Sequence, residues 1–382
     1  MIKKRVDTLK ADTRGRMDRA FCALVLALGA FGTLMVFTAG YAYAAAKYDD
    51  SFYFIKRQAI WLAFGIAVML VASRIKISVY KRLALPFYVI SLLLLILTLA
   101  IGFVGNGAQR WISVGPLTVQ PSEIAKLGVI LMLSLYFDKN SRRACAPSSP
   151  KESFVHGTLI PIAIMLIPII LVMLQRHLSC IIIIGCLSIS LILLAGIDMK
   201  YILGFIGAGA SAVAGIALFT EYTKDRITVW LDPEKYKLTG GWQTLQGLMA
   251  IGSGGLLGKG LGNGELKYCY VSEPANDMIF AILCEELGFL GAIFTISLFG
   301  LLIYRGFRIA NRTNDVFARL VCLGICLQIA IQTILNIAVV TNTIPNTGIS
   351  LPFFSYGGSS LIMLFFEAGV ILSVSREATV EK

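Results

Sequence analysis

The chain has 382 residues, of which 57% are hydrophobic and 15% charged, with a mean hydropathy of +0.78. A soluble surface carries roughly 25% charged residues, so this composition excludes a string of soluble domains and makes lipid the solvent for much of the chain. The formal charge of +12, from 34 Lys and Arg against 22 Asp and Glu, is gathered between apolar runs, which fits a polytopic membrane protein and not a nucleic-acid binder.

A span needs about 20 mostly apolar residues. In chain order the candidates are about 20–39, 58–73, 83–104, 121–137, 157–174, 178–195, 200–219, 278–303, 317–340 and 353–374. The first lacks a small-residue cleavage site and reads as a span, not a signal peptide. The expected fold is therefore an all-α membrane protein of about ten transmembrane helices. Basic residues test that count. Lys3, Lys4, Arg5, Lys10, Arg14, Arg16 and Arg19 precede the first span, and Arg74, Lys76, Lys81 and Arg82 fall in an alternate connection. So do Lys139, Arg142, Arg143 and Lys151, then Lys200, then Arg305, Arg308 and Arg312. The opposite short loops hold far fewer, which predicts that both termini are cytoplasmic. The expected organisation is a basic tail at 1–19, one polytopic domain at 20–374 and a short cytoplasmic tail at 375–382. Within the domain, 220–277 forms a long extracytoplasmic loop rich in Trp and Tyr, among them Trp230, Trp242 and Tyr270.

The eight cysteines include no C-x-x-C pair and the only histidines are His156 and His177, so neither a zinc site nor a disulfide framework is expected. The run Gly252–Gly264 resembles a phosphate cradle but fails P-loop spacing. It can be a set of sharp turns at the membrane, or its backbone N–H groups and Lys259 can hold a lipid-linked pyrophosphate. Ionisable groups inside spans cost roughly 2.5–3.5 kcal/mol and default to functional hypotheses. Glu123 and Lys126 lie at i, i+3 opening the fourth span and can pair; Glu285 and Glu286 lie two turns into the eighth; Glu367 sits in the last. Each is either a lock between helices or the lining of a polar cavity. Asp277, at the outer mouth of the eighth span, is either its N-cap or a general base.

Several stretches resemble one family. They are Gly107-Ala108-Gln109-Arg110-Trp111-Ile112, Gln120-Pro121-Ser122-Glu123-Ile124-Ala125-Lys126-Leu127, the glycine run from Ile251, Glu285-Glu286-Leu287-Gly288, and Pro345-Asn346-Thr347-Gly348 through Leu351-Pro352-Phe353-Phe354-Ser355-Tyr356-Gly357-Gly358-Ser359-Ser360. Together they resemble the SEDS (shape, elongation, division and sporulation) family over about residues 18–374. Phe52–Gln58 and Ala72–Ile75 are more like its division branch than its elongation branch. The resemblance implies a peptidoglycan glycosyltransferase of the bacterial plasma membrane that polymerises lipid II with inversion and release of undecaprenyl pyrophosphate. It implies a class B penicillin-binding protein transpeptidase as partner, among the membrane proteins of the divisome or elongasome. The family's essential acid falls on Asp277, and the candidates for substrate binding are Arg110, Glu123, Lys126, Lys259, Glu285, Glu286 and Ser359. No motif demands a cofactor; a divalent cation, Mg or Mn, is the one candidate. Two places depart from the family pattern: Ala275-Asn276-Asp277-Met278 lacks the usual His, and Arg176-His177-Leu178-Ser179 replaces Pro-Asp-Leu-Gly. The alternatives are a lipid II flippase and a non-catalytic scaffold of the cell-wall machinery.

Overall fold

The computed structural model describes residues 15–105, 108–114, 117–145, 149, 152–196, 221–268 and 270–378. The expected span 200–219, the basic tail before residue 15 and Cys269 lie outside them. The helices are α1 (Arg19–Tyr48), α2 (Tyr53–Ala72), α3 (Ile77–Ile101), α4 (Pro121–Cys145), α5 (Ile160–Leu174, entered by a π-helical turn Ser153–Leu159) and α6 (Leu178–Leu194). After them come α7 (Glu221–Leu231), α8 (Trp242–Ser253), α9 (Ile279–Ala310), α10 (Val316–Val340) and α11 (Gly358–Ala378). Among the described residues seven helices are long and apolar enough to cross a membrane: α1, α2, α3, Phe154–Leu174, α9, α10 and α11.

α4 is absent from that set, although the sequence predicts a span at 121–137. Its ionic residues lower its hydropathy, and its position explains how they are tolerated. Ala125, Leu127, Val129, Ile130 and Leu133 are fully buried, so α4 is surrounded by protein and needs no lipid-compatible surface. The opposite holds for α2 and α3, where Ile60, Phe64, Leu93 and Ile96 are exposed and suit hydrocarbon.

Without water to drive apolar surfaces together, helix association in lipid relies on close backbone approach at small residues. A Cβ on Gly32 of α1 would lie 2.2 Å from the carbonyl oxygen of Phe353, so glycine is what lets α1 meet the segment before α11. One end of the bundle is tied by ions. Asp18 caps α1 by accepting from the Phe21 N–H at 2.9 Å and meets Arg305 of α9 at 2.9 Å. Lys81 of α3 reaches Asp138 of α4 at 2.7 Å.

Two features depart from the expected architecture. A small antiparallel sheet, β1 (Phe103–Gly105), β2 (Ala108–Val114) and β3 (Leu117–Val119), fills the α3–α4 connection with β2 in the middle, so the fold is mostly helical but not all-α. Its strands are shorter than the windows in which alternation can be read. The segment expected as a long outer loop is ordered around α7 and α8. Its indoles are bound to protein: Trp230 Nε1 donates to the Asn342 carbonyl and Trp242 Nε1 to the Tyr270 carbonyl, both at 2.9 Å.

The glycine run has a structural role that accounts for its backbone groups. α9 is broken at Gly288, whose φ of 66° and ψ of −166° suit glycine alone. The break frees polar groups that a membrane-embedded helix cannot leave unpaired. The run supplies their partners: Lys259 and Gly260 N–H donate to the Glu285 and Glu286 carbonyls at 3.0 and 2.9 Å, and the Phe289 N–H donates to the Gly255 carbonyl at 2.9 Å. A Cβ on Gly258 would lie 2.2 Å from the Glu286 carbonyl oxygen.

Candidate functional site

At the end of the bundle opposite the Asp18–Arg305 tie lies a cavity of about 890 Å³. Its walls come from the sheet, the first turn of α4, the α5–α6 corner, α7, α8, the turns leading into α9, and the segment 346–360 that leads into α11. Five residues singled out in the sequence line it together: Arg110, Glu123, Lys126, Asp277 and Ser359.

Pro121 opens α4 with its fixed backbone angle and sets Glu123 and Lys126 one turn apart. Lys126 is 1% exposed; its Nζ lies 2.9 Å from Glu123 Oε2 and donates to Gln332 Oε1 at 3.0 Å. Ser360 donates to Glu123 Oε2 at 3.5 Å. The pair is therefore both a lock between α4, α10 and α11 and part of the cavity wall. β2 carries Arg110, whose Nη2 donates to the Arg176 carbonyl at 2.6 Å. Ser359 stands in the first turn of α11, and its Oγ is buried with no hydrogen-bond partner among the described residues.

Asp277 does not cap α9. The capping position is Met278, and no side chain bonds to the helix start. Its backbone is held firmly: Asn336 Nδ2 donates to the Asp277 carbonyl at 3.0 Å, Ser355 Oγ donates to the Asn276 carbonyl at 2.7 Å, and the Tyr356 N–H donates to the Ala275 carbonyl at 2.8 Å. The carboxylate is half-buried at the cavity wall. Its Oδ2 accepts from Gln243 Nε2 at 3.5 Å, and its Oδ1 has no partner among the described residues. Burial pushes the carboxyl up from 3.8 to about 6, and Glu273 pushes it the same way. Its own N–H, Gln243 and Arg226 pull it back. The result is a carboxylate that is ionised at neutral pH yet far more basic than an exposed aspartate, as a general base requires.

Lys259, Glu285 and Glu286 are placed elsewhere and line no part of this cavity. Glu285 and Glu286 are fully buried. Lys259 lies 3.1 Å from Glu285, which also accepts the Glu265 N–H at 2.8 Å; Lys267 lies 2.7 Å from Glu286. These ions fasten the glycine run to the broken α9, and Lys259 and the Lys259 and Gly260 N–H groups are engaged there. Glu367 is buried and accepts from Gln328 at 2.9 Å, behind the wall and not in it.

Sequence reasoning missed other residues in the wall, notably Arg57, Arg226, Gln243, Gln332 and Asn346. Arg57 and Arg226 lie in short charged stretches, Lys56-Arg57 and Lys224-Asp225-Arg226, and Arg57 and Asn346 lie in stretches that carry the family resemblance, but nothing local placed any of them in a cavity wall. His177 also lines the cavity. Burial first, then the charges of Arg110 and Lys126, push it down to about 3, so it is a neutral imidazole at physiological pH. Among the described residues no group of three or more His, Cys, Asp or Glu is arranged to hold a metal ion.

The family of cell cycle proteins that groups FtsW, RodA and SpoVE matches residues 18–380. Stage V sporulation protein E of Bacillus subtilis (strain 168) is 38% identical over 94% of this chain and 97% of its own length. A probable peptidoglycan glycosyltransferase FtsW of Geobacter metallireducens is 35% identical over 94% and 95%. Among solved structures, a chain from work on the structural coordination of polymerization and crosslinking by a peptidoglycan synthase complex superposes with a TM-score of 0.79. It is 27% identical, over 95% of this chain and 98% of that one. The rod shape determining protein RodA of Thermus thermophilus gives a TM-score of 0.69 at 27% identity, over 94% and 97%.

Proposed function

This chain belongs to the SEDS family, the FtsW, RodA and SpoVE group of cell cycle proteins, and we propose that it is a peptidoglycan glycosyltransferase of cell division or cell shape. It polymerises lipid II into glycan strands at the outer face of the bacterial plasma membrane. The chain forms one polytopic domain over 20–374, with about ten spans, both termini cytoplasmic and the 220–277 segment outside. It works with a class B penicillin-binding protein transpeptidase among divisome or elongasome proteins. The single observation that carries the catalytic reading is Asp277, a carboxylate raised by burial to about 6 in the wall of a cavity that also holds Arg110 and Lys126.

The chemistry follows from that placement. The Asp277 carboxylate takes the proton of the acceptor sugar's 4-hydroxyl. The freed oxygen attacks the anomeric carbon of the donor as the bond from that carbon to the pyrophosphate oxygen breaks, inverting the configuration. Negative charge grows on the departing undecaprenyl pyrophosphate, and fixed cations stabilise such charge most where water is excluded. Arg110 and Lys126 are the cations for that role. Both are already held in place, Arg110 on the Arg176 carbonyl and Lys126 on Glu123 and Gln332, so little reorganisation accompanies the step. Ser359, with its unpartnered hydroxyl, is a further substrate contact.

The test is lipid II polymerisation in proteoliposomes with and without the co-purified transpeptidase. Wild type is expected to make strands, with a rate that falls about tenfold for each pH unit below about 6, and Asp277→Asn to make none. Strands from Asp277→Asn would remove the base from position 277. No strands from wild type with its partner present would turn the reading toward a flippase or scaffold.

A further inference from the structure

The two oxygens of Asp277 are treated differently by the protein, and the difference can be traced to a backbone group. The Gly348 N–H donates to Asn346 Oδ1 at 3.1 Å. A backbone N–H can only donate, so this bond fixes which end of the Asn346 amide is oxygen. The amide's Nδ2 must then face Gln243, where it donates to Oε1 at 3.1 Å. Gln243 in turn can offer only its Nε2 to Asp277 Oδ2, at 3.5 Å. Each amide is read in one direction, and neither can flip without opposing two like groups. Gly348 has a φ of 68°, a left-handed backbone that glycine adopts without strain.

We infer that Gln243 is a positioning residue for the base: through Asn346 and the Gly348 N–H, its amide is locked to present a donor to one oxygen of Asp277, which favours the carboxylate and fixes its orientation at the cavity wall. This deepens the glycosyltransferase reading and rests on it for the identity of the reaction, but the relay itself is a property of the fold. At 3.5 Å the bond from Gln243 to Asp277 is long, so it orients the carboxylate more than it neutralises it. The charged groups facing Asp277 are Glu273 on its own segment, which favours the protonated acid, and Arg226 of α7, which favours the carboxylate. Arg226 also donates to the Asn346 carbonyl, so the relay's middle member is pinned by its backbone as well as by its side chain. No imidazole precedes Asp277, where the chain reads Ala275-Asn276. The neutral amide from α8 is the group that occupies the orienting role.

Two readouts test this. The first needs no turnover: the protonated-carboxyl infrared band that disappears in Asp277→Asn is titrated in wild type, Gln243→Met, Asn346→Leu and the double variant. Gln243→Met is expected to move the midpoint upward by about one pH unit. Asn346→Leu, which changes no atom touching Asp277, moves it by a smaller amount in the same direction. The double variant matches Gln243→Met alone, because the second change acts only through the first. An unmoved midpoint in Gln243→Met, an unmoved midpoint in Asn346→Leu, or shifts that add in the double variant would each overturn the relay. The second readout is the acid limb of kcat/KM for polymerisation, which should follow the infrared midpoint. A merely structural role would lower activity equally at all pH. If the infrared midpoints move as expected while wild type makes no strands, or while the acid limb stays put, the relay stands and the assignment of Asp277 as base fails.

Discussion

Replacing Asp277 by Asn should abolish polymerisation and at the same time make the folded protein more stable at neutral and alkaline pH. The sign comes from proton linkage. The carboxyl titrates at about 6 in the fold against 3.8 for the ordinary group. Below about pH 4 both folded and unfolded chains hold the proton, and the group carries no penalty. Between about 4 and 6 the folded chain binds the proton more tightly, so stability falls as pH rises. Above about 6 both states are ionised and the full penalty is in place. A difference of about two pH units corresponds to about 3 kcal/mol at 1.36 kcal/mol each. Part of the side chain faces the cavity, so solvent screening reduces the expected gain to about 1–3 kcal/mol. Asn keeps an oxygen for Gln243 and fills the same volume, so no cavity opens; its Nδ2 takes the place of the buried, partnerless Oδ1, and that unpaired donor holds the expected gain toward the lower end of the range. The assay is thermal unfolding of purified wild type and Asp277→Asn in one detergent, near pH 5 and near pH 8. The variant's Tm should be higher by on the order of 2–5 °C near pH 8, with a gap about half as large near pH 5. A lower Tm for the variant near pH 8, or an equal gap at both values, would refute the claim that burial holds this carboxyl above its ordinary range.

The ion pair in the cavity wall should behave in the opposite way. Lys126→Met leaves Glu123 buried without its partner and is expected to cost about 3–5 kcal/mol, whereas Glu123→Gln with Lys126→Met recovers most of that stability without recovering strand synthesis. Full recovery of synthesis in the double variant would reduce the pair to a helix lock. At the break in α9, Gly288→Ala must hold a side chain at φ 66° and place a Cβ 2.3 Å from the Gly258 N. A loss of at least about 3 kcal/mol is expected, seen as a fall in Tm; an unchanged Tm would mean that the break is not fixed by these residues.

Much of the helical architecture could be read from the apolar runs, because a span in lipid has no alternative way to satisfy its backbone. The edges were less legible: α1 continues past residue 39 to Tyr48 and α9 past 303 to Ala310, since a helix continues into solvent wherever its neighbours still support it. The sheet was invisible because β1 and β3 have three residues each, too few for any period to register. For the glycine run the sequence left two readings open, and local spacing could not decide between them. The deciding partner, the gap at Gly288, lies almost thirty residues on in the sequence. Asn346 lies in a stretch that carries the family resemblance, yet no role was assigned to it or to Gln243 for a related reason. An uncharged amide does not reveal its role until the backbone N–H that orients it is known.

The intramembrane charges illustrate what a sequence can and cannot sort. Glu123, Lys126, Glu285, Glu286 and Glu367 all looked alike as costly ions within spans, and in the fold all are buried. What separates them is what remains once their partners are counted. Glu285 accepts from Lys259 and from the backbone of 265 and 266, which answers its charge within the turn. Glu367 is answered by the hydrogen bonds of Gln328 and by the charge of Lys126, behind the wall. Glu123 and Lys126 answer each other and still border the cavity. Asp277 is the extreme case: the backbone is tied at three consecutive residues, 275 to 277, while its carboxylate is held only by its own N–H and a long bond from Gln243, with Oδ1 unpartnered among the described residues. A scaffold gains nothing from holding an under-bonded carboxylate so rigidly, and folding would favour an amide there. On the proposed reading, a carboxyl raised by burial at position 277 costs stability for the sake of chemistry, and a Tm that rises when the carboxylate is removed would register that cost without any assay of turnover.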